Sequence, residues 1–357
     1  MTTSSQLQPD GGFQLPMEAY TSEAWFDREW REVFESGWIF VGLIQELPDP
    51  GTFKTIQVGR CPVILTRDSK SALHAFHNVC RHRGCKVASG SGKKKSLTCP
   101  YHAWNYGLDG KLNRIPMKEE FSAFDKSDYG LKPLAIDTFW GMIYVNMNPE
   151  AESLESWLQG VPEAIHEKGV RPQELSLLHY REYEAGSNWK FLVENQVDCL
   201  HVPFLHGDSN NWKFDDLHYE YCGPHHLSHY PYDFMPEGMG LIPNMEWTYP
   251  AFTSNVIFPN VFTYIWQSVC AFMHIMPISA EKSVWRWYVL GTEGSDPTAY
   301  LKFYENVVVE DIEASDWLQS SVKSPAFEVG PMALNYEKPV AMFHKDYTRL
   351  MPLATDS

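Results

Sequence analysis

The spacing of hydrophobic and polar residues divides the chain into stretches of helical pattern and stretches of β-type pattern. Between residues 17 and 38, large apolar residues recur at helical intervals behind Ser22, a typical N-cap residue, and predict one amphipathic helix. Residues 52–80 instead contain three short β-type runs separated by polar turns. The dipeptide at 109–110, Asp-Gly, is typical of a tight β-hairpin. The first part of the chain is therefore predicted to be mostly antiparallel β structure.

The second part of the chain has a different pattern. Long β-type runs at 260–277 and 283–291 precede a helical pattern at 300–322, and a further helical stretch at 149–169 comes before them. This order predicts an α+β protein. We expect three segments: a helical segment, 1–40, that packs on the larger domain, a small antiparallel-β domain, 41–150, and a larger sheet-and-helix domain, 151–357.

Composition and charge narrow the class of partner. The chain has 13 Trp and a 14% aromatic share, which favours aromatic-lined cavities, and its formal net charge of −16 excludes nucleic acid or an anionic membrane as its main partner. No stretch has the pattern of a signal peptide or the length of a membrane span. Seven cysteines, an odd number, favour a reducing compartment over a disulfide framework. We therefore expect a soluble, cytoplasmic protein.

Two cysteines and two histidines lie close together within the small domain. They are Cys80 and His82 in "CRH" and Cys99 and His102 in "CPYH", on two predicted hairpin tips. Two thiolates and two imidazoles suit either a closed tetrahedral zinc site or a two-iron cluster with mixed ligands. The spacing does not choose between the two, so a zinc knuckle stays open as the alternative.

A second group of candidate ligands lies in the larger domain. In "NWKFLVENQVDCLHVPFLH", four residues separate His201 from His206, and Asp198 precedes both. Two histidines and a carboxylate can hold one iron on three adjacent positions and leave the opposite face open to dioxygen. The carboxylate must come from a distant part of the chain. The alternative is a pair of histidines in the core.

The residues around both motifs resemble one family. "NVCRHRGCKV" followed by "LTCPYHAWNYGLDGKL" resembles the Rieske signature of the Rieske non-heme iron oxygenases, which include ring-hydroxylating dioxygenase large subunits and related monooxygenases. The stretches 40–68, 130–149 and 337–351 resemble the same family, in a style nearest to its choline and carnitine monooxygenase branch. Cys85 is a departure, because the family more often has a small or apolar residue there. We expect Cys85 to be a buried bystander.

The resemblance implies a cofactor for each motif. It implies that residues 41–150 form a Rieske domain whose [2Fe-2S] cluster is held by two cysteines on one iron and two histidines on the other. It also implies a helix-grip catalytic domain with a mononuclear Fe(II), in which the family pattern Glu-Asn-x-x-Asp-x-x-His-x-x-x-x-His begins at Glu194. The roles implied are metal ligands for His201 and His206, bridging acid for Asp198, and a weaker outer contact for Asn195.

The third iron ligand is sought among the acidic residues of "VVVEDIEASDWLQ". The family's Glu-Asp-Ile…Gln pattern, with Gln319 eight residues further on, selects Asp311. Glu310 is expected to point about 100° away on the same helix. Glu313 and Asp316 are expected to belong to a solvated helix face.

The resemblance further implies a terminal oxygenase that uses dioxygen and two electrons. The electrons would come from NAD(P)H through a partner, either a flavin and iron–sulfur reductase or a ferredoxin. The family assembles as a trimer, so the chain is expected to be a homotrimer in which electrons pass through His102, Asp198 and His201 across a subunit boundary. A Rieske electron-transfer protein without oxygenase activity is the alternative of another class.

The sequence constrains the identity of the substrate less than it constrains the metal sites. Phe262, Tyr264 and Trp266 share one face of a predicted strand, as do Trp285 and Trp287 on the next. These rings can wall a pocket for a planar ring or a quaternary ammonium group, or belong to the sheet core. The resemblance favours a small amine or quaternary ammonium compound, hydroxylated next to nitrogen with dealkylation or C–N cleavage, and an aromatic acid stays open. An exposed loop is expected for the histidines at 225, 226 and 229.

Overall fold

The β-type runs of the first half form antiparallel strands. The structure is a computed structural model that describes residues 15–121, 125–162, 171–207, 218–230, 239–242, 252–266, 268–327, 330–333 and 335–353. Residues 35–157 form one compact unit, and the residues before and after them form a second. Together the antiparallel sheets and the helices confirm the α+β class.

Ten strands build the first unit. A seven-stranded sheet has the order β1-β10-β9-β4-β3-β2-β5, and β6-β7-β8 form a separate small sheet. The three runs predicted at 52–80 are confirmed as β2, β3 and β4, and the Asp-Gly turn is confirmed between β7 and β8, where Gly110 has a φ of 79°. The strands are β1 (Ile39–Leu43), β2 (Thr52–Val58), β3 (Cys61–Arg67), β4 (Leu73–His77), β5 (Ser91–Lys93), β6 (Ser96–Thr98), β7 (Asn105–Gly107), β8 (Leu112–Arg114), β9 (Pro133–Phe139) and β10 (Met142–Asn146).

One antiparallel sheet forms the centre of the second unit. Its order is β11-β17-β16-β15-β14-β13-β12, and its three longest apolar runs are the β structure predicted at 260–291. The strands are β11 (Ser176–Ala185), β12 (His218–Cys222), β13 (His225–Tyr230), β14 (Phe252–Ile257), β15 (Val261–Trp266), β16 (Val269–Ser279) and β17 (Lys282–Gly291).

The histidine-rich segment at 225–230 was expected to be an exposed loop, and this prediction is wrong. The segment is strand β13, paired on one side with β12 and on the other with β14. His225 and His226 are 0% and 2% exposed, and His226 Nε2 lies 3.4 Å from the buried Asp346 carboxylate. The many polar residues of this segment did not indicate a strand. Its backbone pairs with the adjacent strands, and its polar side chains find partners inside the second unit.

Seven α-helices are described. The helix predicted at 17–38 is interrupted at Ser22, whose Oγ accepts a hydrogen bond from Trp25 N at 3.3 Å, and it ends as a π-helical turn over Trp30–Phe34. The helices are α1 (Glu18–Thr21), α2 (Glu23–Glu29), α3 (Leu154–Leu158), α4 (Trp189–Val197), α5 (Val202–Leu205), α6 (Thr298–Ser321) and α7 (Lys338–Leu350), with 3₁₀ turns at Ile44–Glu46, Lys118–Glu120, Lys126–Tyr129 and Pro172–Glu174. Across the described residues, no helix combines the length and apolarity needed to span a membrane.

A buried ion pair holds three of these helices together. Lys190 on α4 donates to Glu29 on α2 at 2.7 Å, and both side chains are fully buried. Trp189 Nε1 and the Tyr347 hydroxyl on α7 also donate to the Glu29 carboxylate. Three aromatic rings lie within 5.5 Å of the Lys190 ammonium, so that cation is neutralised and surrounded. Helix α2 is thereby fixed onto α4 and α7.

Candidate metal centres

Two short turns present the four candidate cluster ligands. In the first, Cys80 N donates to Cys85 O at 2.8 Å and Gly84 N donates to Cys80 O at 3.0 Å; in the second, Cys99 N donates to Trp104 O at 2.9 Å and Ala103 N donates to Cys99 O at 3.0 Å. Each turn therefore begins with a cysteine and carries a histidine within the next three residues. Both cysteines are buried, at 3% and 2% exposure.

The turns bring like ligands together. The imidazole rings of His82 and His102 lie 4.5 Å apart between centroids, at 70° to each other, and His82 stacks on Trp104. The Cys80 and Cys99 thiols affect each other's pKa, and the Cys85 thiol affects that of Cys99 as well. The four candidate ligands are thus arranged as two thiols and two imidazoles, with a third thiol near the first two.

Burial raises the pKa of Cys80, whereas hydrogen bonding favours the thiolate form of the second cysteine, Cys99. Tyr106 OH lies 3.3 Å from Cys80 Sγ and accepts a hydrogen bond from the Arg81 N–H at 3.0 Å, so it can donate its own hydrogen to a Cys80 thiolate. Burial would raise the pKa of Cys99, but hydrogen bonds from the backbone N–H groups of Tyr101 and His102 contribute to an opposing effect that lowers it. The thiolate is the form that binds a metal.

The donor set fits a binuclear cluster better than one zinc ion. A tetrahedral zinc needs four donor atoms around a single point. Among the described residues, no three donors of this region come within 4.8 Å of one another. His82 Nδ1 is buried and has no hydrogen-bond partner, as expected of an atom directed at a metal. Cys85, which was expected to be buried, is partly exposed, and its thiol donates to Lys86 O at 3.4 Å.

The second centre is built on the junction between α4 and α5. His201 is the N-cap residue of α5 and His206 its C-cap residue, so one short helix sets their spacing. Asp311 on α6 faces both, with its Oδ1 3.5 Å from His201 Nε2 and 3.0 Å from His206 Nε2. These three residues form the only set of three metal-ligating side chains within 4.8 Å that the described part of the chain contains.

Electrostatics at this centre favour a cation. Burial raises the pKa of Asp311, but the two histidines outweigh that effect and lower the pKa to about 2. Burial lowers the pKa of His201, but the Asp198 and Asp311 carboxylates outweigh it and raise the pKa to about 9. Asp311 is 3% exposed, and despite the nearby ring nitrogens its Oδ1 makes no hydrogen bond of acceptable geometry. Two imidazoles and this carboxylate oxygen suit Fe²⁺.

Each histidine has its own carboxylate on the outer side. Asp198 Oδ2 lies 3.2 Å from His201 Nδ1, and Glu310 Oε2 lies 2.6 Å from His206 Nδ1. Such contacts fix the ring orientation and leave Nε2 for the metal. Sequence reasoning missed Glu310: it does point away from Asp311, but that direction leads to the far side of His206. The sequence signal that could have identified Glu310 is that it directly precedes the candidate ligand Asp311 on the same predicted helix.

One buried stripe on α6 sets the register of Asp311. Ser315 and Gln319 follow it at four-residue intervals, and all three are buried. Gln319 Oε1 accepts from Asn188 N at 2.9 Å, directly before α4, so α6 is connected to the helix that leads to His201. Asp316 is half-buried and Glu313 exposed, outside this stripe.

A cavity of about 690 Å³ opens beside Asp198 and His201. Glu194 lines it and accepts from the Tyr20 hydroxyl at 2.6 Å. Phe204 and Trp317 also line it and are 81% and 62% exposed, which is unusual for such large apolar side chains.

Two of the predicted pocket residues, Tyr264 and Trp287, have rings near a tyrosine close to the second centre. Phe262 and Tyr264 are buried on β15; Trp266 ends that strand, and its side chain lies outside the described residues. The ring centroid of Tyr264 lies 6.3 Å from that of Tyr304 on α6. The ring centroid of Trp287 on β17 lies 6.0 Å from that of Tyr304. Burial raises the pKa of Tyr304, and the Asp311 charge raises it further, so these rings are near the metal ligands.

The two domains of the chain are those of a Rieske-type oxygenase. A model of the Rieske [2Fe-2S] domain matches residues 37–131, and a model of the ring hydroxylating alpha subunit catalytic domain matches residues 172–353. The chain belongs to this ring-hydroxylating oxygenase family and is an oxidoreductase, which confirms the family resemblance. The two domains imply a Rieske cluster and a non-heme iron.

Individual relatives cover most of the chain. Choline monooxygenase of Spinacia oleracea is 26% identical over 95% of this chain and 78% of its own length. The carnitine monooxygenase oxygenase subunit of Acinetobacter baumannii is 29% identical over 89% of this chain and 88% of its own. A solved quaternary ammonium Rieske monooxygenase, described for carnitine oxidation and inter-subunit electron transfer, superimposes with a TM-score of 0.84 at 25% identity and 96% coverage of both chains.

Proposed function

We propose that this protein is the oxygenase component of a reductase-dependent monooxygenase that hydroxylates a small quaternary ammonium compound on a carbon next to nitrogen. The observation that carries the proposal is the convergence of His201, His206 and Asp311 beside buried aromatic rings. The relatives named for choline and carnitine, and the structural match named for quaternary ammonium substrates, support the substrate class.

The proposed reaction converts a C–H bond, O₂, two electrons and two protons into C–OH and water. The non-heme iron, when bound, supplies the reduction of dioxygen, and the Rieske cluster supplies electrons one at a time. His201, His206 and Asp311 would hold that iron and leave the remaining positions open. Cys80, His82, Cys99 and His102 would hold the cluster. A hydroxyl group on the carbon next to the quaternary nitrogen makes the C–N bond labile. The hydroxyl loses its proton, the C–N bond breaks, and an aldehyde and an amine are released, which is the proposed dealkylation or C–N cleavage.

Electrons need a route between the two centres. We propose that the Rieske domain of a second copy of this chain docks over the cavity beside Asp198, so that electrons pass from His102 through Asp198 to His201 in a homotrimer. The exposed Phe204 and Trp317 at that cavity support an interface between copies. The solved relative's inter-subunit electron transfer supports the same arrangement.

A second protein must supply the electrons. We propose a flavin and iron–sulfur reductase, or a ferredoxin, that draws on NAD(P)H in the cytoplasm. The name of the carnitine relative, an oxygenase subunit, supports a separate partner.

The aromatic rings near Asp311 suit a substrate cation. A quaternary ammonium group has no N–H to donate, so it is recognised by ring faces through cation–π attraction, worth about 0.5–2 kcal/mol per ring. Tyr264, Tyr304 and Trp287 are the candidate rings, and the electrostatic effect of Asp311 on the tyrosines indicates that they are close to the proposed iron site.

The test is substrate-dependent oxygen consumption by the purified protein with a reductase. The panel should contain choline, carnitine and glycine betaine beside benzoate and other aromatic acids, and the aldehyde or amine product should be quantified. We expect product only from the quaternary ammonium compounds. Product from an aromatic acid alone would favour a ring-hydroxylating activity. A protein that binds only two irons per chain and forms no product would be an electron-transfer protein.

A further inference from the structure

The second carboxylate oxygen of Asp311 has a partner of its own. Gln196 Nε2 donates to Asp311 Oδ2 at 3.0 Å, whereas the other oxygen, Oδ1, faces the two histidines. Gln196 lies on α4 and Asp311 on α6, so this contact joins the helix that precedes His201 to the helix that carries Asp311.

The orientation of the Gln196 amide is fixed by its neighbours. Its Oε1 lies 2.6 Å from the hydroxyl of Tyr264, and its Nε2 lies 2.8 Å from Asn195 Oδ1 as well as near Asp311. A flipped amide would place an oxygen against the Asp311 carboxylate, which only accepts hydrogen bonds. Both N–H groups and the oxygen of Gln196 are therefore in use, and Tyr264 must donate.

A carboxylate can bind a metal through one oxygen or through both. An oxygen that already accepts a strong hydrogen bond is a poorer metal ligand, and turning it toward the metal would break that bond. Asp311 is held in this way on one side only. The difference between its two oxygens is therefore built by Gln196, and Tyr264 holds Gln196 in place.

We propose that Gln196, fixed by Tyr264, is a positioning residue that restricts Asp311 to one-oxygen ligation of the mononuclear iron. One-oxygen ligation would leave more of the iron's coordination sphere free for dioxygen than ligation through both oxygens would. The inference rests on the proposed function and adds to it the residue that keeps the site open. It also gives Asn195 a place, as the second acceptor of the Gln196 amide.

The experiment compares Gln196→Leu and Tyr264→Phe with the matched control Tyr300→Phe. Tyr300 is a buried tyrosine on α6 that packs against Tyr304, so its variant loses a hydroxyl from the same aromatic region without touching the Gln196 amide. Two quantities are measured with the [2Fe-2S] cluster intact: the affinity for Fe²⁺, and the electron paramagnetic resonance spectrum of the nitric oxide complex of that iron.

We expect Gln196→Leu to alter the resonance spectrum of the nitric oxide complex, because the freed Asp311 Oδ2 can then bind the iron as well, and to change the Fe²⁺ affinity by about 10- to 100-fold. Tyr264→Phe should change both in the same direction by less, and the double variant should be no worse than Gln196→Leu, because the two residues act in series. Tyr300→Phe should match the unmodified protein.

Two outcomes overturn the inference. Unchanged affinity and spectrum in Gln196→Leu would remove Gln196 from the site while leaving the proposed function intact. Equal effects of Tyr264→Phe and Tyr300→Phe would reduce Tyr264 to a packing role. An unmodified protein that binds no third iron would instead overturn the proposed function, and this inference with it. Should Gln196→Leu fail to fold, Tyr264→Phe and its control decide the matter.

Discussion

The two metal centres are built in opposite ways. The four candidate ligands of the first lie within 23 residues of sequence, from Cys80 to His102, on two turns of one β unit. The second takes two ligands from a short helix and the third from α6, 105 residues beyond His206 at Asp311. The first centre is a local motif that needs little of the fold. The second exists only when two helices pack in one register.

This difference predicts that loss of one ligand of the first centre removes the whole cluster but leaves the second centre unaffected. Cys80→Ala or His102→Ala should abolish the visible absorption of the cluster and reduce the iron content by two per chain, because one of the two irons keeps only a single protein ligand. The third iron should remain. Absorption spectroscopy with iron counting measures both effects, and Cys85→Ala is the matched control that keeps its colour. Retained colour in Cys80→Ala would contradict the ligand assignment.

Damage to the second centre should be confined to one iron. Asp311→Ala is expected to lose the mononuclear iron and all turnover while the cluster spectrum stays unchanged, since the two histidines alone hold the ion weakly. Asp316→Ala, on the same helix and outside the buried stripe, serves as control. Iron counting and product formation decide the result. If Asp316→Ala lost the iron and Asp311→Ala kept it, the register along α6 would be wrong.

The two outer carboxylates sharpen the comparison, because they contact equivalent histidine atoms in different surroundings. Asp198 lines the open cavity, so Asp198→Asn should keep all three irons but slow turnover by about 100-fold, at the upper end for outer contacts. The electron transfer step should be the slow one. A reduced cluster that is reoxidised by oxygen and substrate at the normal rate would contradict this role.

Glu310 is expected to matter for the metal rather than for electrons. Glu310→Gln keeps a hydrogen-bond acceptor for His206 but removes its charge, so Fe²⁺ affinity should fall by about 10-fold at the lower end for outer contacts. Glu313→Gln, exposed one turn further on, is the control. Competition with a chelator of known affinity measures the change. An unchanged affinity would show that the short contact at 2.6 Å has no effect on the ligand.

The smallest expected effect concerns the partner of the first centre. Lys93, Lys94 and Lys95 line a groove of about 880 Å³ in the Rieske unit, on a chain of net charge −16. Replacing all three with Gln should slow cluster reduction by an acidic electron donor by at most about 10-fold at low salt and not at all at high salt, because steering is screened. Stopped-flow reduction at two salt concentrations measures this. Equal reduction rates of the triple variant and the unmodified protein at low salt would show that these three lysines do not attract the electron donor.

The same contrast explains which features the sequence could predict. Hairpins and a compact ligand motif could be predicted because both depend on residues that are close together in the sequence. Strands β2 to β4 and the turn at 109–110 were confirmed. The partners of the iron ligands were not readable, because Glu310, Gln196 and Tyr264 are joined only by packing. The strand at His225 was missed for the same reason: its polar side chains find partners across the sheet and on α7.

The buried pair of Glu29 and Lys190 has a consequence for how the sequence can change over evolutionary time. Removing either partner alone leaves an uncompensated charge in the interior, at a cost of about 3–5 kcal/mol, which is a large part of the stability of most domains. Lineages that lose one charge would therefore be purged before the second substitution arrives. The two positions should be inherited together, and a relative with a different residue at one should also differ at the other. Arginine is a poor substitute for Lys190, because the space between three rings is filled by a compact ammonium group.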